Sequence, residues 1–283
     1  MKKGLYLFWC FLLLSCTAVL AQDNCTEEYG NGSNVITLAT GSPGELGLVK
    51  VLAEAFNEAN DTRICWVKAG SGASLKMLKE KKVDLVMVHA PAAEKQAVTD
   101  GWAIKRSLMG SNEFYIVGPK DDPAGIAKAV SGADAYTKIA DAKVKFFSRG
   151  DNSGTHKKEL AVWEKAGITP EGDWYIVTKD FMMATLNRCN GENGYFMTDS
   201  STWVAAKKDL KNLDILYRGD PMLINTYHAL CRPAGDGYAQ PYAAKFIDFV
   251  VSEEGQAIFQ NYGVDLYGEA IYNDAAYARQ YDH

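Results

Sequence analysis

A chain of 283 residues with 30 basic and 35 acidic side chains carries a formal net charge of −5, and 47% of its residues are hydrophobic. That balance leaves no basic footprint for nucleic acid, and any anion site must work through local dipoles rather than an overall positive field. The length allows one large domain or two lobes of ordinary size.

Lys2 and Lys3, the apolar run Gly4–Leu14 and the stretch Val19-Leu20-Ala21 predict a secretory signal peptide over residues 1–21, cleaved after Ala21. The run is too short to span a membrane as a mature helix. Leu13-Leu14-Ser15-Cys16 loosely matches a bacterial lipoprotein box, but Leu14 fits poorly before the Ser, so a lipid anchor at Cys16 is the less favoured alternative. The mature chain is expected to be an exported, soluble, periplasmic monomer. Export permits disulfides. Pairing neighbouring elements of one lobe predicts Cys25–Cys65 and Cys189–Cys231. No CxxC or Cys/His spacing is present, so neither a metal nor a cofactor is expected.

Val35–Ala39 reads as a strand, followed by a helix with Leu46, Val49, Ala53 and Phe56 on one face. Ile64–Lys68 is a second strand, with a helix near Ala73–Lys81. Leu85–His89 is a continuous apolar run, as expected of a parallel strand buried on both faces, and a helix covers Ala92–Asp100. Phe114–Val117 is a strand ending in Gly118-Pro119-Lys120-Asp121-Asp122-Pro123, a composition suited to a crossing between lobes. A second series follows: a helix at Ala133–Asp141, strand Val144–Phe147, a helix after Ser153, then strands Tyr195–Met197 and Leu213–Tyr217. Gly219-Asp220-Pro221 breaks the pattern before a return strand at Ile224–Leu230 and a closing helix through Phe246, Phe249 and Val250. Strand–helix alternation of this kind predicts two α/β lobes joined by two hinge crossings with a ligand between them. Lobe 1 comprises residues 22–117 plus 223–283, and lobe 2 residues 118–222.

Open α/β sheets place ligands beyond the carboxyl ends of their strands, which singles out the loops Thr40–Gly47, Gly70–Ser74 and Ser148–His156. In the third loop, SRGDNSGTH, neither Ser153 nor Thr155 is followed three residues later by Glu or Gln, so no capping box forms. Arg149 adds a planar cation, and Gly150 and Gly154 let the backbone turn and approach a ligand. Two readings stand level on this loop alone. Either a bound oxyanion satisfies the surplus donors, or Asp151 or Asn152 caps the helix while Arg149 pairs with Asp151. Cell adhesion through Arg149-Gly150-Asp151 has no other support. The first loop differs: Ser42-Pro43-Gly44-Glu45 predicts a self-sufficient capping box that brings a carboxylate. His89 and Asp199 stand at strand ends, where hydrogen-bonded structural roles are expected, Asp199 as an N-cap. Packing is the expected role of Tyr227.

The stretches AGSGASLKML, VMVHAPAAEKQAV, FYIVGPKDDPAGIAK, FFSRGDNSGTHKKELAVW, ATLN, YFMTDSSTW and GDPMLINTYHA together resemble the periplasmic tungstate-binding proteins of ABC importers, the Tup type, from about Val35 to Tyr272. The resemblance implies a type II periplasmic binding protein fold, whose lobes close over a tetrahedral oxyanion delivered to a transporter permease. Carried over residue by residue, it implies Arg149, Ser153, Gly154 and Thr155 as ligand contacts, Ser71 in the second glycine loop, and Thr40 and Ser42 in the first. The family's TTTS run is reduced here, and Glu45 is added. Because Arg149–Thr155 also matches the R-x-D-x-S-G-T of phosphate-binding proteins, a phosphate-type anion is the alternative, with Glu45 as acceptor of its proton; the wider match favours tungstate or molybdate. A hydrolase built on Ser153, His156 and Asp151 is the competing class, but neighbours at one helix start do not align nucleophile, base and orienter, and the GxSxG elbow is absent.

Overall fold

The computed structural model describes residues 25–282, so the signal peptide expected over 1–21 and the alternative anchor at Cys16 lie outside the described residues. The first series of elements is β1 (Glu27–Tyr29), β2 (Asn34–Thr40), α1 (Ser42–Glu45), α2 (Leu48–Glu58), β3 (Thr62–Lys68), α3 (Ser71–Lys79), β4 (Leu85–Val88), α4 (Pro91–Thr99) and the long β5 (Ile104–Pro119). The second is α5 (Gly132–Ala142), β6 (Phe146–Ser148), α6 (Gly154–Lys165), β7 (Tyr175–Val177), α7 (Met182–Glu192), β8 (Tyr195–Asp199), α8 (Ser200–Ala206) and β9 (Leu213–Tyr217). The chain closes with β10 (Ile224–Cys231), α9 (Gln240–Val250), α10 (Glu253–Asn261), α11 (Val264–Tyr267), β11 (Asn273–Asp274) and α12 (Ala275–Ala278). The fold is mixed α/β. Its strands run in the order β1-β3-β2-β4-β10-β5-β8-β6-β7, with β9 and β11 also on β5.

Parallel pairing of β2 with β3 and β4 forms one half of this sheet, and parallel pairing of β6 with β7 and β8 forms the other. β5 belongs to both. It runs antiparallel to β10 as far as Glu113 and antiparallel to β8 from Phe114. The strand itself therefore carries the chain from one half to the other, four residues before the 117/118 boundary expected from sequence. Gly118 and Pro119 instead end β5, paired with Asp214 and Leu213 of β9, and the turn follows from Lys120. Residues 104–113 escaped the sequence reading because IKRSLMGSNE has no apolar run. That stretch is held by two strand neighbours rather than by its own hydrophobicity.

One apolar cluster runs through both halves. The α2 face of Leu48, Val49, Leu52, Ala53 and Phe56 is buried, with Phe56 edge-on to Phe246 at 5.1 Å. All four residues of β4 are buried, as a strand covered by helices on both sides demands. In the second half Trp163 lies 4.2 Å from Tyr136 and 5.2 Å from Phe146, ring centre to ring centre. Aromatic side chains of this size bury the most apolar area per residue and dominate such a core.

A disulfide joins Cys25 to Cys65, tying the start of β1 to β3. The second pairing expected from sequence does not form. Cys189 and Cys231 are both buried free thiols. Cys189 sits on α7, where its Sγ donates to the Gly194 carbonyl at 3.1 Å. Cys231 ends β10, between β4 and β5. Nearness along the second half of the sequence did not translate into nearness in space, because β10 returns to the first half of the sheet. Burial pushes the Cys189 thiol well above its ordinary range, so it is inert.

Candidate functional site

Three strand-to-helix loops meet across the seam between the halves. β2 ends at Thr40 and leads into α1, whose N-cap is Gly41; β3 leads through Gly70 into α3. Neither glycine has a side chain to accept the first-turn N–H groups, which leaves these helix ends with unmet donors and partial positive charge. α1 adds little, since Pro43 has no N–H and those of Gly44 and Glu45 bond the Gly41 carbonyl. α3 contributes the fuller set. In the second half, β6 ends at Ser148, Arg149 follows, and Ser153 caps α6 by accepting from the His156 N–H at 3.3 Å.

Gly41, Ser42, Gly70, Ser71, Arg149 and Ser153 converge on a cavity of about 10 Å³, with Thr40, Glu45, His89, Phe181 and Tyr227 completing its wall. That space holds one water-sized group. A larger occupant therefore needs the two halves to part. Their approach is close: a Cβ built on Gly70 would stand 3.1 Å from Ser153 Cβ, and one on Gly72 only 2.6 Å from the Asn152 carbonyl oxygen. Gly154 at the start of α6 lies against the His89 ring in the same way. Gly154 and Thr155 stand beside the cavity without lining it, and the buried Thr155 Oγ1 has no partner among the described residues.

Proton bookkeeping separates the hydroxyls. Ser71 Oγ accepts from the His89 N–H at 3.2 Å, so its own proton is free to donate. Ser153 Oγ accepts from His156 N–H and is likewise a free donor. Thr40 differs: its Oγ1 donates to the Met87 carbonyl at 2.7 Å, which spends its proton inside the sheet. Arg149 is only 4% exposed. Its Nε donates to the Asp180 carbonyl at 3.2 Å and its terminal nitrogen to Asp151 Oδ2 at 2.6 Å. Gly150 follows with φ of +58°, a left-handed turn that glycine adopts freely.

Two sequence readings are corrected. Ser42 is not the cap of α1, and no capping box forms; the Glu45 carboxylate pairs with Lys68 Nζ at 3.0 Å instead. In the third loop Ser153, rather than Asp151 or Asn152, caps α6, while Asp151 holds both Arg149 and the Ser153 N–H. The hydrolase arrangement also fails. His156 Nδ1 accepts from the Asn152 N–H at 3.0 Å, and the imidazole makes no bond to Ser153 Oγ among the described residues.

The sequence did not single out Phe181 as a cavity residue, and its loop gave no glycine signal. Its ring centre lies 4.3 Å from Lys68 Nζ and 5.6 Å from the Arg149 guanidinium carbon, a cation–π link between β3 and the third loop. His89 and Tyr227, expected to be structural, also face the cavity. Burial lowers the His89 pKa to about 4, so the cleft wall gains no charge from it near neutrality. Asp199 caps α8 as expected, accepting from the Thr202 N–H at 2.8 Å.

Residues 27–254 match the PBP superfamily domain. The chain is 33% identical over 268 residues to the tungstate-binding protein TupA of Peptoclostridium acidaminophilum, covering 93% of each. Among solved structures it is similar to the tungstate ABC transporter from Geobacter sulfurreducens, with 36% identity, a TM-score of 0.74, and coverage of 82% of this chain and 100% of that one. TupA from Desulfovibrio alaskensis G20 is similar as well, with 34% identity, a TM-score of 0.70, and coverage of 86% and 99%.

Proposed function

This chain belongs to the PBP superfamily and, within it, to the family of the TupA tungstate-binding proteins, and from that membership we propose that it is the substrate-binding component of an ABC importer and captures tungstate between its two halves. It is a solute-binding protein and not an enzyme. One observation supports the ligand class above the others: the uncapped start of α3, the free hydroxyls of Ser71 and Ser153, and the Arg149 guanidinium all converge on one cavity. Such a site offers donors from several directions and a single fixed cation, which suits a fully deprotonated tetrahedral dianion.

In this reading Arg149 supplies charge and direction. Ser42, Ser71, Ser153 and Thr155 supply hydroxyl donors, the Gly154 amide belongs to the α6 terminus, and Thr40 shapes the wall. Lobe 1 is the half built on β2, β3, β4 and β10, and lobe 2 the half built on β6, β7 and β8. The protein acts as an exported monomer that presents the loaded, closed form to a permease. Glu45 is paired with Lys68 through one carboxylate oxygen, so the choice between a fully deprotonated dianion and hydrogen phosphate is made by titration. Calorimetric titration with tungstate, molybdate, sulfate and phosphate tests the assignment. Tungstate should bind most tightly with unit stoichiometry; preferred binding of phosphate would overturn it.

A further inference from the structure

Behind the cavity runs a line of buried polar side chains, of which only the first, His89, reaches its wall. His89 Nδ1 lies 2.8 Å from Asn225 Oδ1, Asn225 Nδ2 donates to Asn112 Oδ1 at 2.8 Å, and Asn112 Nδ2 donates to Ser201 Oγ at 2.8 Å. Asn112 Nδ2 also approaches Asp199 Oδ1 at 3.3 Å, and Ser201 Oγ donates to the same carboxylate oxygen. Asn112 and Asn225 are 1% and 3% exposed and face each other in register on β5 and β10. β10 leaves β5 just where β5 changes partner to β8, so the two asparagines sit on the crossing between the halves.

We infer that His89 is a positioning residue, held as its Nδ1–H tautomer by this one-way chain of donors, and that the chain sets the closed geometry of the cleft. The direction follows from its far end. Asp199 can only accept, and it already receives Thr202 N–H, Thr202 Oγ1–H and Ser201 Oγ–H. Asn112 must therefore turn its amide N–H₂ toward that end and its carbonyl toward Asn225. Asn225 in turn spends its N–H₂ on Asn112 and leaves only a carbonyl for His89, whose Nδ1 has to be the donor. Low basicity from burial agrees with a neutral ring, the Arg149 and Lys158 charges adding to that effect while Asn225 and Asp151 oppose it.

Fixing the ring fixes the surface on which the opposite half packs. The imidazole packs against Gly154 at the α6 terminus, where a Cβ would fall 2.3 Å from Cε1. The His89 main-chain N–H holds Ser71 Oγ as a donor toward the cavity. Asn225 and Asn112 thus reach the anion site through His89, while Asn112 Nδ2 also lies 3.5 Å from the hydroxyl of Tyr227 on the cavity wall.

Two experiments decide this; the binding arm rests on the tungstate assignment, and the first arm does not. Histidine ¹⁵N NMR of the ligand-free protein should show His89 with protonated Nδ1 and bare Nε2 from about pH 5.5 to 8. An Nε2–H form or an imidazolium in that range overturns the inference. In tungstate titrations, the near-isosteric Asn225→Asp removes the donor to Asn112 and should lower affinity about tenfold or more while the fold persists by circular dichroism. His89→Asn, whose amide can replace the Nδ1 donor, should stay near wild type, whereas His89→Ala should lose affinity like Asn225→Asp. Equal affinity of His89→Asn and His89→Ala overturns the inference even if Asn225→Asp does not fold. Absence of tungstate binding by the wild type would refute the ligand assignment alone, with the tautomer still decided by NMR.

Discussion

Among the described residues Arg149 carries the only guanidinium on the cavity wall, and its hydrogen bonds to Asp151 and the Asp180 carbonyl leave part of its fork for a ligand. Removing it should leave Asp151 and the anion facing each other. Arg149→Ala is expected to weaken tungstate binding by roughly 2–5 kcal/mol, read by calorimetry, the cost of truncating one partner of a buried charge-assisted contact. An unchanged dissociation constant would take Arg149 out of the site. Behind the same loop Glu159 is 1% exposed, accepts from the Tyr175 hydroxyl at 2.6 Å and from Trp163 Nε1 at 3.3 Å, and is pushed by burial up to about 7. Its folded pKa thus lies above its unfolded value, so the folded state holds a proton that the unfolded chain has released. Stability should fall as pH rises from about 4.5 to 7, and flatten above. Glu159→Gln should remove that slope and raise the melting temperature at pH 8 relative to wild type. Melts at pH 5 and pH 8 provide the check, and an unaltered slope would show that another group sets it.

At the level of elements, the proposed anion site draws on the starts of α3 and α6, of which only α3 lacks a side-chain cap. Gly70 offers none to α3, and Ser153 satisfies one N–H of α6. Gly72 adds a steric condition. A methyl there would lie 2.6 Å from the Asn152 backbone oxygen in the opposite half, where backbone cannot easily give way. Gly72→Ala should therefore hinder closure while favouring α3 itself, since alanine is the better helix former. The expected outcome is tungstate affinity lowered about tenfold, the equivalent of about 1.4 kcal/mol, with an unchanged or higher melting temperature for the ligand-free protein. Affinity equal to wild type would mean that the two halves are held further apart when loaded. These donor-rich loops were legible beforehand, as turn residues lying between an apolar strand and a helical pattern. The capping box at Ser42–Glu45 was legible too, and misleading, because Lys68 on the neighbouring strand takes the carboxylate that the motif reserves for its own backbone.

Across the whole molecule, the chain crosses between the halves within β5 and again between β9 and β10, and the facing surfaces meet at glycines, so the motion that goes with the proposed function is a hinge about these two crossings. With a cavity this small, an oxyanion must enter an open form and be enclosed afterwards. Small-angle scattering should show a smaller radius of gyration with tungstate than without, and superimposable profiles would rule out ligand-driven closure. The amino-acid order determined what depends on local chemistry: the apolar stripe of α2, the fully buried β4, the polar loops at strand ends, and Arg149 just ahead of a helix start. Periodicity and turn chemistry act over a few residues and can be read there. Tertiary structure decided what depends on partners far along the chain. It fixed where β5 passes between halves, why Cys189 and Cys231 never meet, which hydroxyls keep a proton to give, and how Phe181 and His89 reach the cavity. Most of these turn on a neighbour far along the chain, as Thr40 does on Met87 and Phe181 on Lys68, and a hydrogen bond or a packed ring is defined only when both members are in place.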